Sequence, residues 1–289
     1  MKPMMTPINL AIALLILGNL LASLSDVAVK VLDGGVSPFQ YIFLRQLVSI
    51  VLLFPFWIRQ PSRLRSLSNP KITVLRAHIL LIGSCCMVVS ITYLTLATAN
   101  AVFYTAPLLM IPLSILLLNE RPSTKKVLQT VIGFIGALII LRPSQFHWAA
   151  IFALGTATTL ALYNLLVRKI PNDQSVITTL FWTTCLSLPV SGSLAWFYWE
   201  PLNYKEVLWI ALSAAFIISY NGLATMAYKK APATQVSLAE YSGLIFVVLF
   251  GIIWFDEAPD RLTLIGIGLI IFPLMPKRWL RRIKGKREL

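Results

Sequence analysis

The sequence predicts an all-α polytopic membrane protein, with ten transmembrane helices arranged as two inverted five-helix repeats. Three observations predict it: long apolar runs, cations confined to one side of them, and motifs that recur at a constant separation. Of 289 residues, 57% are hydrophobic and 12% charged, whereas soluble domains carry about 25% charged residues. With a mean hydropathy of +0.78, the chain is solvated by lipid. At roughly 20 residues per span its length is used up by ten spans and short connections. The net charge of +14 would point to nucleic acid only if the cations gathered on an exposed face. They alternate with apolar runs instead, which excludes that partner.

The apolar segments are 9–32, 39–58, 72–95, 98–118, 124–142, 147–168, 175–196, 207–229, 233–255 and 261–280. The first exceeds the about 7–15 residues of a signal-peptide core and is read as a retained span. Turn formers mark the joints, among them Gly34-Gly35 before Pro38, Arg121-Pro122, Arg142-Pro143, Pro171-Asn172 and Ala258-Pro259. The longest break runs from Arg59 to Lys71. A membrane β-barrel would show alternating segments of about ten residues, which this pattern does not resemble.

With the N-terminus in the cytoplasm, twenty of the 25 Lys and Arg fall on the cytoplasmic side and three (Arg142, Lys205, Arg261) on the other, while Lys30 and Arg45 lie within spans. Cations gather in cytoplasmic loops, so the protein is expected in the inner (plasma) membrane with both termini in the cytoplasm. A missed span would move every later loop across the membrane and scramble the bias.

Glu120-Arg121-Pro122 and Glu257-Ala258-Pro259 stand 137 positions apart, as do Tyr104 and Tyr241, while Asp26 to Lys30 is echoed 138 positions later by Asn164 to Arg168. A half of five spans is odd, so its copy enters the bilayer inverted. The expected halves are 1–142 and 147–289, the second ending in a basic cytoplasmic tail. Inverted halves exchange roles and open to each face in turn, as a carrier requires.

Polar groups within spans are costly and therefore informative. Asn19, Ser23, Asp26 and Lys30 share one helix face. They form either the wall of a wet cavity or a structural pairing of Asp26 with Lys30 or Arg45, with Lys30 reaching outward. Glu240, Tyr241 and Tyr104 are expected to flank a central site. Glu240 would bind a cationic group or exchange a proton, which makes Glu240 and Asp26 the ion-coupling candidates; alternatively Glu240 is a packing residue satisfied by His78 or Arg76. Tyr163 with Thr159, Trp182 with Thr183, and Tyr220 and Asn221 with Tyr228 suit a flat or amphipathic solute, or serve helix packing. Pro107, Pro112, Pro189 and Pro273 are expected to bend their helices. The Glu-x-Pro turns read as architectural, with the proline opening the next helix. Cys85, Cys86 and Cys185 sit in apolar runs as packing residues, and His78 and His147 fit no zinc spacing. Neither metal nor cofactor is expected. The sequence holds no nucleophile elbow and no phosphate-binding glycine loop, so it reads as neither an enzyme nor an ATP-driven pump.

Glu120-Arg121-Pro122-Ser123 followed by Gly133 and Gly136, its counterpart Asp256-Glu257-Ala258-Pro259-Asp260 followed by Gly266, and Glu240-Tyr241-Ser242 upstream of it resemble the duplicated five-span modules of the drug/metabolite transporter superfamily, EamA type. The resemblance covers essentially the whole chain. It implies ten helices around a central cavity, walls drawn from spans three, four, eight and nine, and transport without ATP. The expected function is secondary active transport of a small metabolite: an amino acid or derivative, an S-adenosylmethionine-like solute, a vitamin or an aromatic solute. Membrane lipids and protons or another coupling ion are the expected partners, with the protein a monomer or homodimer. A flippase for lipid-linked amphiphiles is the alternative from the same superfamily. Gln129 stands where the family often has Gly, and Pro273 where Gly136 would align, so spans five and ten are expected to pack differently from the common pattern.

Overall fold

The computed structural model describes residues 7–32, 34–118, 124–141, 147–171, 173–231, 239 and 242–272, and these residues contain helices and no strands. The helices are α1 (Pro7–Val31), α2 (Pro38–Ile58), the single turn α3 (Ser62–Arg65), α4 (Pro70–Tyr93), α5 (Leu96–Phe103), α6 (Ala106–Leu118), α7 (Thr124–Leu141), α8 (Ala149–Leu166), α9 (Val176–Phe197), α10 (Tyr204–Lys230), α11 (Ser242–Phe255) and α12 (Arg261–Ile271). Among the described residues seven segments are long and apolar enough to cross a bilayer, with α5 and α6 together forming one of them. Shorter apolar stretches occupy 131–140, α11 and α12. The protein is an all-helical, multi-pass membrane protein.

Local chemistry sets the helix ends. Asn69 accepts the Ile72 amide at 3.3 Å ahead of Pro70, Asp260 accepts Thr263 at 3.1 Å, and Asn203 and Glu206 form a reciprocal capping box. α11 closes on Asp256 in the left-handed region (φ 53°), and the Glu257 amide reaches back to the Gly251 carbonyl at 3.0 Å. A left-handed residue at a helix C-terminus is usually Gly; Asp is among the few others that tolerate the conformation. It turns the chain sharply and aims Glu257 back at the bundle.

Span four, expected to bend at its prolines, is interrupted outright ahead of the first of them. It breaks at Tyr104–Thr105, between α5 and α6. Pro107 has no N–H to offer the Phe103 carbonyl, so the ladder cannot run through. Thr105 repairs the break: its hydroxyl donates to Val102 O at 2.7 Å, and its own carbonyl accepts the amides of Leu108 and Leu109. α6 and α9, by contrast, continue through Pro112 and Pro189, while Pro273 lies outside the described residues.

The outer surface is apolar, as a lipid-facing surface must be: Val51, Leu116 and Ile253 are each more than 65% exposed. Exposed Tyr93, Trp148, Trp196, Trp199, Tyr204 and Trp254 all lie at one end of the bundle, the placement of an interfacial aromatic girdle.

Numbering the ten segments expected from the sequence in chain order, the most extensive contacts are one with eight (α1 with α10), three with six (α4 with α8), two with seven (α2 with α9) and five with ten (α7 with α12). Span one also meets nine as six meets four, and span two meets eight as seven meets three. Exchanging every segment for the one five places away maps these contacts onto one another, whereas four meets five (α5 and α6 with α7) without an equally extensive contact between nine and ten. Glycines permit the closest approaches. A Cβ on Gly155 would stand 3.0 Å from Cys86 Sγ, and one on either Gly136 or Gly266 would stand 2.7 Å from the other's carbonyl oxygen. Spans five and ten therefore meet backbone to backbone.

Candidate functional site

Between these helices lies a cavity of about 150 Å³, walled by α1, α2, α4, the broken span α5–α6, α8, α9 and α10. A single water needs only about 10–15 Å³ on this measure. The space is of solute size.

From α1, Asn19 and Asp26 line the cavity. Ser23 does not: fully buried, it donates to the Asn19 carbonyl of its own helix at 2.8 Å. Lys30 also departs from expectation, pairing with Glu257 and not with Asp26. Its ammonium lies 3.1 Å from Glu257 Oε1 and donates to the carbonyls of Ile91 at 3.2 Å and Leu94 at 2.8 Å. The other Glu257 oxygen accepts the Leu96 amide at 2.7 Å. One clasp thus binds the end of α1, the end of α4, the start of α5 and the turn after α11. It stands one helical turn, about 6 Å, beyond Asp26.

From α2, Arg45, Gln46 and Ser49 line the cavity. Arg45 is 6% exposed; its Nη2 donates to Ser84 Oγ at 2.7 Å, while its Nη1 is buried without a hydrogen-bond partner. Asn100 and Arg45 are the side chains that act electrostatically on the Asp26 carboxylate. Gln46 bonds Ser187 and Ser191 of α9, tying spans two and seven together.

Tyr104, at the break in span four, lines the cavity and packs its phenol onto Gly243 of α11, where any Cβ would overlap the ring. Tyr163 and Thr159 enter from α8, and Tyr220, Asn221 and Tyr228 from α10. Arg76 stacks 4.1 Å from the Tyr163 ring centroid and donates to the Tyr163 carbonyl at 3.2 Å, so it is committed to α8. Trp182 is not in the wall. It packs edge-on to Trp57 and Phe181, and its indole N–H donates to Arg65 O at 2.9 Å, pinning the Arg-rich loop. Thr183 is likewise turned to its own helix, donating to the Thr179 carbonyl. Glu240 and Tyr241 lie outside the described residues. On either side of them, Asn19 donates to the Ala239 carbonyl at 2.9 Å and to Ser242 Oγ at 3.3 Å.

Of the polar wall, sequence reasoning passed over Gln46, Ser49, Ser84 and Asn100. The face test applied to α1 would have found α2, where Arg45, Gln46 and Ser49 fall at i, i+1 and i+4. Asn100 had no such signal, since its exposure to the cavity comes from the break after α5. Among the described residues no three His, Cys, Asp or Glu side chains come together as a metal site.

The sequence model of the EamA-like transporter family matches this chain twice, over residues 9–142 and 147–275. An S-adenosylmethionine uptake transporter of Rickettsia prowazekii is 27% identical over 255 residues, 86% of each chain. The pseudopaline exporter CntI of Pseudomonas aeruginosa is 24% identical, covering 90% of this chain and 93% of its own. A crystal structure with 18% identity superposes with a TM-score of 0.62 over 94% of this chain and 98% of its own, a likeness of fold.

Proposed function

Because the chain belongs to the EamA-like transporter family, we propose that it is a secondary carrier moving a small metabolite across a bacterial plasma membrane by alternating access between two inverted five-span halves. Transport of a small molecule, and not enzymatic chemistry, is what its relatives share. The observation that carries the mechanism is the cavity between the helices, with polar side chains in a largely apolar wall, and the Lys30–Glu257 clasp one turn beyond it. A carrier needs a central site and a seal that can be made on one side while it is broken on the other.

Two further observations support inverted halves at 1–142 and 147–289. The family matches fall within those ranges, and the most extensive helix contacts map onto one another under a five-span exchange. The repeat offset carries Lys30 to Arg168 and Glu257 to Glu120. Alternating access then assigns the second pair the same sealing task at the opposite face. The cation bias puts both termini in the cytoplasm and the Lys30–Glu257 clasp outside. Asp26, Asn19, Tyr104, Tyr163, Tyr220 and Asn221 make up the described wall of the substrate site, with Glu240, Tyr241 and Asp26 as the groups for substrate and coupling ion. S-adenosylmethionine, the solute in the name of several relatives, heads the substrate candidates.

The test is counterflow in proteoliposomes loaded in turn with S-adenosylmethionine, each protein amino acid and riboflavin. Saturable exchange of at least one, lost when the clasp is locked by a Lys30→Cys/Glu257→Cys crosslink, is the expected result. Exchange that persists through the crosslink, or scrambling of labelled lipid with no solute exchanged, overturns the carrier reading.

A further inference from the structure

The link between α2 and α4, residues 59–69, carries Arg59, Arg63 and Arg65 and no acidic residue, and Lys71 follows in the first turn of α4. Its backbone is pinned to the rest of the bundle. The Thr178 hydroxyl donates to the Leu64 carbonyl at 2.6 Å, the Trp182 indole to the Arg65 carbonyl at 2.9 Å, and the Ser68 amide to Gln174 Oε1 at 3.0 Å. Trp57 stacks on Phe181 with centroids 4.4 Å apart, and the Arg65 guanidinium carbon stands 5.9 Å from the Trp57 ring centroid. A fixed frame therefore gathers several cations, which repel one another. No carboxylate of the described residues answers them: the ion pair that forms among those residues is Lys30–Glu257 at the opposite end of the bundle, and Asp173, the described acidic side chain at this end, acts on Lys229. Directly beside the cations the surface turns apolar, with Phe54, Phe56 and Ile58 of the last turns of α2 exposed.

We infer that this loop binds an anionic phospholipid of the adjoining leaflet, its headgroup phosphate on Arg59 and Arg63 and its acyl chains along the outer face of α2. The two side chains are exposed, and a guanidinium offers paired N–H groups that match two phosphate oxygens. Cations beside a membrane surface are drawn to an anionic leaflet, each adding to the attraction. Cationic and apolar surface are contiguous here, so the ligand that uses both carries a phosphate and hydrocarbon in one molecule; a soluble anion uses only the first. Because the loop is already ordered by Thr178, Trp182 and Gln174, little conformational entropy is lost on binding. The inference goes beyond the carrier reading and holds whatever solute the cavity takes.

The full chain in nonionic detergent is titrated with dioleoylphosphatidylglycerol, dioleoylphosphatidylcholine and glycerol 3-phosphate, and apparent affinity is read from the rise in melting temperature. Phosphatidylglycerol should raise it saturably, while the zwitterionic lipid and the soluble phosphate should each need at least about tenfold more. Arg59→Gln/Arg63→Gln should weaken the phosphatidylglycerol effect by about 30-fold, the scale of two cations at a membrane surface. Lys169→Gln/Lys230→Gln removes the same charge from other loops at this end of the bundle and should leave the affinity within about threefold. Arg63→Gln alone should cost about fivefold and carries the test where the double variant does not fold. The inference is overturned if phosphatidylglycerol has no saturable effect, if phosphatidylcholine matches it, or if the two double variants lose affinity equally, which would make the effect one of net charge. Glycerol 3-phosphate matching the lipid would overturn it in favour of a free phosphate.

Discussion

Glu257→Ala removes the anion from a clasp that has no other. At 3.1 Å and an effective dielectric of 20, the attraction between unit charges is about 5 kcal/mol before desolvation is subtracted. The mutant leaves the Lys30 ammonium, 14% exposed, facing only two carbonyls, and the Leu96 amide without its acceptor. Breaking a buried pair from one side costs about 3–5 kcal/mol, and partial exposure places this one near 3. If opening of the outer end rehydrates Lys30, that cost falls on the closed form alone and shifts the equilibrium toward the open form by about 100-fold. The assay is thiol accessibility. With the three native cysteines replaced, Met87→Cys puts a thiol in the cavity wall one turn from Ile91, whose carbonyl Lys30 holds. A membrane-impermeant maleimide added outside should label it about 100-fold faster with Glu257→Ala, at the scale of the clasp energy. The swapped pair Lys30→Glu/Glu257→Lys should recover part of the protection. An unchanged labelling rate would refute the claim that this ion pair seals the cavity.

Gly266→Leu should separate α7 from α12, because even a Cβ there meets the Gly136 carbonyl at 2.7 Å; overpacking of this kind costs about 1–3 kcal/mol, read as a lowered melting temperature in detergent. Gly243→Ala should displace the Tyr104 phenol from its seat and weaken substrate binding about tenfold or more, while Tyr104→Leu/Gly243→Ala regains stability but not affinity, by isothermal titration. Asp256→Val should destabilise by about 1–2 kcal/mol, since a β-branched residue is forced into the left-handed region, whereas Asp256→Gly is tolerated; urea unfolding separates the two. Trp182→Phe should loosen the Arg-rich loop, seen as faster trypsin cleavage near Arg65, and leave KM for transport unchanged because the indole is bound to Arg65 O outside the wall.

Composition alone established that this chain lives in lipid, for a deficit of charge cannot be hidden by folding. Spacing established most of the helix ends, since turn formers and caps act through a few neighbouring residues: Asn69, Asn203 and Asp260 perform locally what their types suggest. The constant offset between Glu120 and Glu257 was likewise visible in one dimension. Helical periodicity placed Asn19 and Asp26 on one face, and both reach the cavity. Ser23 from the same face does not, because periodicity says where a side chain starts but not whether its hydroxyl turns back on its own helix. Tertiary structure alone decided the partners. Lys30 is separated from Glu257 by most of the chain, so no local rule could choose it over Asp26 four residues away. The reach of the lysine and the αL turn at Asp256 made that choice. Which polar groups face a shared void and which close on each other depends on how distant helices are juxtaposed. For that reason the buried Nη1 of Arg45, without a hydrogen-bond partner, became visible only once the helices were assembled.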